Sequence, residues 1–295
     1  MNAGIVSNCW QAQIQQGVSL ESLVVQARDR GYVAIELRQG CLGDCESSDD
    51  LVPDVERLSE LAAACDGLTW DLALGYPCFA PGNAGDDAVF TAGCQAIGPL
   101  AAGRTPHLRL VDLQTDHTRV TTAEAADTVL RLLTAVRRVG GLLSIEHARE
   151  DWGWFREVFD RARAAAGPDR DWLKICFDPC NLLLAPGDPD PATVTAGLAP
   201  DEISMIHFKQ RRDGQPWPAV VEGEVDWAAV VRAINGMGDG QGFPGPYLFE
   251  IAPSPEVWEC LDGSRVFLDR LGLEMGLGGG RNDRTDPEEF VETSS

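Results

Sequence analysis

The sequence predicts a single-domain α/β protein, a (β/α)8 TIM barrel, and three observations carry that expectation. Four short apolar runs, residues 142–146, 173–178, 203–207 and 247–250, are β-branched or aromatic and bounded by Gly, Pro or charge, as buried strands are. Glu146, Asp178, His207 and Glu250 close these runs at gaps of 32, 29 and 43 residues, about one strand–loop–helix unit each. The length of 295 residues accommodates one barrel of about 250 residues plus a tail, with no second domain. All strands of a parallel barrel finish at one face, so side chains at four strand ends can converge on one point.

The elements follow in order. Residues 4–9 read as the first strand. Ser19 caps the next helix, Glu21 suits the positive end of its dipole, and Leu20, Leu23, Val24 and Ala27 form its apolar stripe. Gly31 ends it, and residues 33–38 form the second strand. Residues 39–50 are a polar loop, 51–65 an amphipathic helix and 68–74 the third strand. The loop 75–85, with two Pro, three Gly and two aromatics, can wall a pocket. A helix over about 86–102 leads to the fourth strand, 107–113. His107 starts that strand and so belongs to the stability face. Thr121 or Thr122 caps the fourth helix, which carries Glu124 and Asp127 early and Arg131, Arg137 and Arg138 late, in the order the dipole favours. Gly140 and Gly141 stop it before the fifth strand. A helix over about 152–166, a Pro- and Asp-rich loop 186–191 and a short helix flank the sixth strand. Residues 209–225 are the longest polar insertion; Asp226 caps the seventh helix, and 255–271 form the eighth. The barrel thus spans 1–271, and 272–295, Gly-rich then charged, is expected as a flexible polar tail.

Two Glu, one Asp and one His make a hard, oxygen-rich donor set with one imidazole. Such a set suits one divalent cation, Mn²⁺ first, with Mg²⁺ or Co²⁺ as alternatives, better than structural zinc. A carboxylate ending an apolar strand is costly to bury unless a cation or hydrogen bonds compensate it. The nine cysteines are odd in number and lack the C-x₂-C doublets of a zinc ribbon, which points to reduced thiols and a cytoplasmic location. No run approaches the roughly 18 apolar residues of a membrane span. The net charge of −22, with two Lys against 22 Arg, argues against nucleic-acid and anionic-membrane partners. The string Gly240–Gly245 fits G-x-G-x-x-G but precedes a strand, where a dinucleotide site must follow one. No phosphate-binding loop G-x-x-x-x-G-K-[ST] and no G-x-S-x-G elbow occurs.

The four strand ends resemble the second half of the xylose-isomerase-like TIM barrels, the sugar phosphate isomerase/epimerase superfamily. Phe177-Asp178-Pro179-Cys180-Asn181 is similar to that family's F-D-x-x-[NH] turn and His207-Phe208-Lys209 to its H-x-K-D strand. Residues 222–227 resemble its G-x-G-x-[VI]-D-[WY] segment, and 27–36 its A-x-x-x-G-[YF]-x-x-[IV]-E cadence. The resemblance spans residues 4–271. Two positions depart from it. Gln210 stands where the family has Asp, and Asn181 stands where many epimerases carry a substrate-touching His. Endonuclease IV shares the fold, but its zinc cluster needs many more histidines than the four present here.

The resemblance implies Glu146, Asp178, His207 and Glu250 as metal ligands, with Glu146 and Glu250 flanking the carbon whose proton moves. The implied activity is isomerisation or epimerisation of a small keto-sugar or hydroxy-ketone through an enediolate. A metal-dependent lyase (a dehydratase, or a β-elimination like that of C-glycoside deglycosidases) is the alternative on the same scaffold, and a metal-free binding protein is a second. Lys209, Asn181, Trp10, Glu36 and Arg149 are candidate contacts to a carbohydrate substrate, with Arg211, Arg212 and Asp71 behind them. His147 should point away from its neighbour Glu146 and serve structure. A homo-oligomer is compatible with the acidity and the resemblance.

Overall fold

The computed structural model describes residues 3–82 and 85–273. Eight parallel strands close into a barrel: β1 (Ala3–Val6), β2 (Ala34–Arg38), β3 (Thr69–Gly75), β4 (His107–Val111), β5 (Leu142–Glu146), β6 (Leu173–Phe177), β7 (Ile203–Phe208) and β10 (Tyr247–Phe249). Neighbours follow chain order around the ring, and β1 closes it against β10. The helices α2 (Leu20–Asp29), α3 (Val55–Ala64), α4 (Ala88–Ala101), α5 (Thr122–Arg138), α6 (Trp152–Ala166), α7 (Pro191–Ala196), α8 (Trp227–Gly240) and α9 (Val257–Arg270) connect the strands. This is the (β/α)8 barrel that the spacing of strand ends predicts.

Side chains alternate across each strand, and the two faces have different tasks. Ile35, Leu37, Leu108, Leu110, Leu143, Ile145, Ile175, Phe177, Ile206 and Phe208 point outward into the main core beneath the helices. Inside the barrel, Val6, Ala34, Cys176, Met205 and Leu248 form a separate apolar plug. Two residues further along their strands stand Glu36, Asp178, His207 and Glu250, so the period of two places charge directly above the plug. Gly4 is obligatory in this floor. A Cβ there would lie 2.3 Å from Leu248 Cδ2 and 2.6 Å from the Ala34 carbonyl oxygen.

The structure shifts several expected boundaries. β1 ends at Val6 instead of 9, because the Ser7 hydroxyl accepts from the Arg38 amide at 2.9 Å and the chain turns into a 3-10 segment, Ser7–Trp10, and a short α1 (Gln11–Gln15). α3 starts at Val55, not at 51. Leu51 has a left-handed backbone (φ 51°), and Asp54 supplies the cap by accepting from the Arg57 amide. α5 begins in a capping box between Thr121 and Glu124, which chooses Thr121 over Thr122. The polar insertion after β7 holds an unexpected hairpin, β8 (Gln210–Arg212) with β9 (Gln215–Trp217), turned at Asp213 and Gly214, whose φ values are both positive. The expected tail from 274 onward lies outside the described residues. Among the described residues no helix is long and apolar enough to cross a membrane. The nine cysteines are free thiols.

Candidate metal centre

Glu146 ends β5, Asp178 follows β6, His207 lies near the end of β7 and Glu250 follows β10. One ligand atom from each lies within 4.8 Å of the others, and all four residues are buried. The geometry is held from several sides. Asp178 Oδ1 accepts from the Cys180 amide at 2.8 Å, a local turn that aims the carboxylate. Lys209, two residues beyond His207, donates to Asp178 Oδ2 at 3.0 Å and to Glu250 Oε2 at 2.9 Å. Asn181 Nδ2 donates to Glu146 Oε1 at 2.9 Å and to the His147 carbonyl at 3.0 Å.

Beneath this group lies a buried brace. Arg109 of β4 pairs through Nη1 with Glu146 Oε2 at 2.6 Å and through Nη2 and Nε with Glu36 of β2. Glu36 Oε2 in turn faces His207 Nε2 at 3.4 Å, while His207 Nδ1 faces Glu250 Oε2 at 3.2 Å and Glu146 Oε1 at 3.8 Å. A proton on Nε2 directed at Glu36 leaves the Nδ1 lone pair turned toward the other three ligands. This assigns the tautomer from its partners.

Charge accounting tests whether a cation fits. Burial and the adjacent Glu36 carboxylate push Asp71 well above the usual carboxylate range. Burial opposes the charge on Glu36, Glu146 and Glu250, but Arg109 and His207 outweigh it for Glu36 and Glu146, and Lys209 and His207 do so for Glu250. All three are held below their ordinary values. Asp178 is raised by burial against the pull of Lys209, with Glu250 and Glu146 adding to the rise. With Glu36, Glu146, Asp178 and Glu250 ionised, Arg109 and Lys209 pair with them directly, Arg38 adds a more distant positive charge near Glu250, and a neutral His207 leaves the cluster net negative. A buried cluster with net negative charge and oxygen donors suits a divalent cation. Without one, burial disfavours a charged imidazole, yet Cys176 and Glu36 drive the His207 proton affinity well above its ordinary value.

Glu36, Cys176 and His207 form a second group of close ligand atoms on the other side of the imidazole. It is the poorer cation site. Glu36 is committed to Arg109, and burial pushes the Cys176 thiol up to about 12, so the sulfur keeps its proton.

A cavity of about 340 Å³ reaches Glu146 and Glu250, with Asn8, Arg38, Arg149, Asn181, Lys209 and Arg211 among its lining. Three of the five expected substrate contacts, Lys209, Asn181 and Arg149, thus face the cavity. Trp10 does not. The turn begun at Ser7 buries its ring completely, 6.0 Å from that of Trp258, and presents Asn8 to the cavity in its place. Glu36 does not either, being fully buried under the ligands as the partner of Arg109 and His207. Asp71 is buried beside Glu36, Arg212 lies over the Trp217 ring, and His147 bonds the Glu150 carbonyl at 2.8 Å between Trp152 and Phe155. His107, bonded to Ser144 Oγ at 2.8 Å, stays at the start of β4. Arg109 and Arg38 were not anticipated as site residues. Their signal was an arginine at alternate positions of an otherwise apolar strand, inward with His107 and Glu36 respectively.

A family model described as xylose isomerase-like TIM barrel matches residues 24–260. No curated protein matches the sequence. Among solved structures, an IolI protein with a bound zinc atom is similar at 14% identity and a TM-score of 0.64, over 93% of this chain and 97% of that one. A xylose isomerase domain protein from Salmonella typhimurium is 18% identical with a TM-score of 0.62, over 90% and 97% of the two chains. A D-allulose 3-epimerase from Methylomonas sp., solved with D-allulose, is 16% identical with a TM-score of 0.56, over 88% of each chain. Identities this low speak to the fold. The match to the family model covers most of the chain, and the protein therefore belongs to the xylose isomerase-like TIM-barrel family.

Proposed function

We propose that the protein is a divalent-metal-dependent isomerase or epimerase of a small keto-sugar or hydroxy-ketone. Glu146, Asp178, His207 and Glu250 would hold the ion, Mn²⁺ in the first instance with Mg²⁺ or Co²⁺ as alternatives. One observation carries the reading: four buried ligand atoms within 4.8 Å of one another, on four separate strand ends. A bound ion would supply polarisation of a carbonyl and the neighbouring hydroxyl, which acidifies the hydroxyl-bearing carbon next to the carbonyl.

The chain's own residues do the rest. Glu146 and Glu250 both face the cavity and are the acid/base pair, one removing the proton from the substrate carbon and the other returning it through an enediolate. Glu250 Oε2 accepts from Lys209, whereas its Oε1 has no hydrogen bond among the described residues and is free to receive a proton. Glu146 is tied by both oxygens, to Asn181 and Arg109, which fixes its position. Lys209 and Asn181, already at the ligands, are placed to meet substrate oxygens. Glu146→Gln and Glu250→Gln are each expected to lower kcat by at least about 100-fold while the thermal melt stays cooperative. Turnover near the parent rate in either variant contradicts the assignment.

A lyase is the second reading. The exposed Leu113 and Leu184 line the same cavity and give it an apolar shoulder able to hold a leaving group. Incubation of ketoses and 3-keto-glycosides in D₂O separates the two. Deuterium uptake with the formula otherwise retained identifies an isomerase, and loss of water or an aglycone identifies a lyase.

A further inference from the structure

Basic residues are outnumbered in this protein, and many of its arginines are paired with acids. Against 46 Asp and Glu stand 24 Lys and Arg. Arg30, Arg57, Arg137, Arg156 and Arg163 are paired with Asp262, Asp44, Asp169, Glu202 and Glu202 in turn. The cavity breaks this pattern. Arg38 and Arg149 line it, and neither side chain has a hydrogen bond or ion pair among the described residues. Arg211, also in the lining, reaches Glu224 only at 3.6 Å and otherwise donates to the Gly214 carbonyl.

Arg38 and Arg211 are partly withdrawn from solvent, and Arg149 is exposed at the rim. Arg38 lies two residues beyond Glu36 on β2, so it points into the barrel mouth, half-buried, and its charge lowers the proton affinity of Glu250. Arg149 follows β5 and Arg211 follows β7, on either side of the turn that carries Cys180 and Asn181. The acids at the base of the cavity are paired directly with Arg109 and Lys209, and none of them with Arg38, Arg149 or Arg211. A rim of guanidinium groups therefore carries surplus positive charge. The net charge of −22 does not cancel it, since charges beyond about 8 Å are screened at physiological salt.

We propose that the substrate bears an anionic group, a carboxylate or a phosphate, bound at the rim by Arg38, Arg149 and Arg211 while the polyol end reaches the ligand cluster. Guanidinium groups recognise both anions through paired, charge-assisted hydrogen bonds. The proposal rests on the metal-enzyme reading for the polyol end only.

Three probes on one carbon skeleton test it: erythritol, erythronate and erythritol 4-phosphate, titrated calorimetrically into Mn²⁺-supplemented full-length protein. At least one anion is expected to bind about 10-fold or more tighter than erythritol, the size that charged hydrogen bonds supply. Preference for erythronate assigns a carboxylate and preference for the monoester a phosphate. The triple variant R38Q/R149Q/R211Q should erase the advantage, with Mn²⁺ occupancy by electron paramagnetic resonance and the melting transition unchanged. That control separates the rim from an anion that merely chelates the metal. Equal binding of all three probes, or an anion advantage that survives in the triple variant, overturns the proposal. Failure of Mn²⁺ to bind, with the arginine-dependent advantage intact, instead overturns the metal reading and leaves this one standing.

Discussion

At the scale of single residues, the centre depends on side chains that never touch the cavity. Glu36 and Arg109 form one ion pair that braces two of the candidate ligands at once, the His207 imidazole and the Glu146 carboxylate. Glu36→Gln should therefore weaken Mn²⁺ binding by about 10- to 100-fold, the range in which partners of metal ligands act. Nitrogen-15 spectra of the Zn²⁺-loaded protein should show His207 bound through Nδ1 in the parent. An unchanged affinity together with metal on Nε2 would contradict the brace. Glu150 offers a second residue-level test. Burial raises its carboxyl to about 7 against the lowering effect of the Ala148 and Arg149 amides. A carboxyl whose folded-state value exceeds its unfolded value of 4.5 contributes stability present below that value and lost as pH climbs through about 7. Glu150→Gln should match the parent near pH 4.5 and exceed it by up to about 3 kcal/mol at pH 8, measured by urea unfolding at both values. The clustering of Glu146, Asp178, His207 and Glu250 was legible in the sequence because each ends an apolar run. Glu36 and Arg109 were not, since their meeting depends on closure across the barrel between residues 73 apart.

At the scale of elements, the strands and most helices followed from hydrophobic runs, caps and glycine stops, because those signals are local. What escaped was set by contacts at a distance or by very short pieces. The end of β1 is decided by Ser7 bonding to β2, and this moved Trp10 from the cavity into the core. β8 and β9 have three residues each, too few to show any period, although Asp213-Gly214 is a hairpin turn pair. Gly4 is the tightest point of the barrel floor. Gly4→Ala drives a methyl against the Ala34 backbone oxygen, which cannot swing aside as a side chain could. Overpacking of this kind should cost about 1–3 kcal/mol, read as a lower urea midpoint at unchanged slope. A neutral Gly4→Ala would mean that β1 and β2 are further apart than described.

At the scale of the whole molecule, strand closure gathers acids that any open arrangement would keep apart. An apolar plug of Val6, Ala34, Cys176, Met205 and Leu248 fills the lower barrel, and the charged layer stands directly above it. Such a layer is stable only if its charges are matched, since uncompensated burial of a charge is among the costliest states in a folded protein. Arg109 and Lys209 pair with the four carboxylates, Arg38 adds a third positive charge near Glu250, and a divalent ion would offset the charge that remains. The direct test is metal content. Protein stripped with chelator, supplemented with Mn²⁺ and desalted should retain about one equivalent by elemental analysis, and Glu250→Gln should lose it. Retention of less than about 0.1 equivalents of Mn, Mg, Co or Zn by the parent protein would contradict the metal centre and, with it, the proposed chemistry.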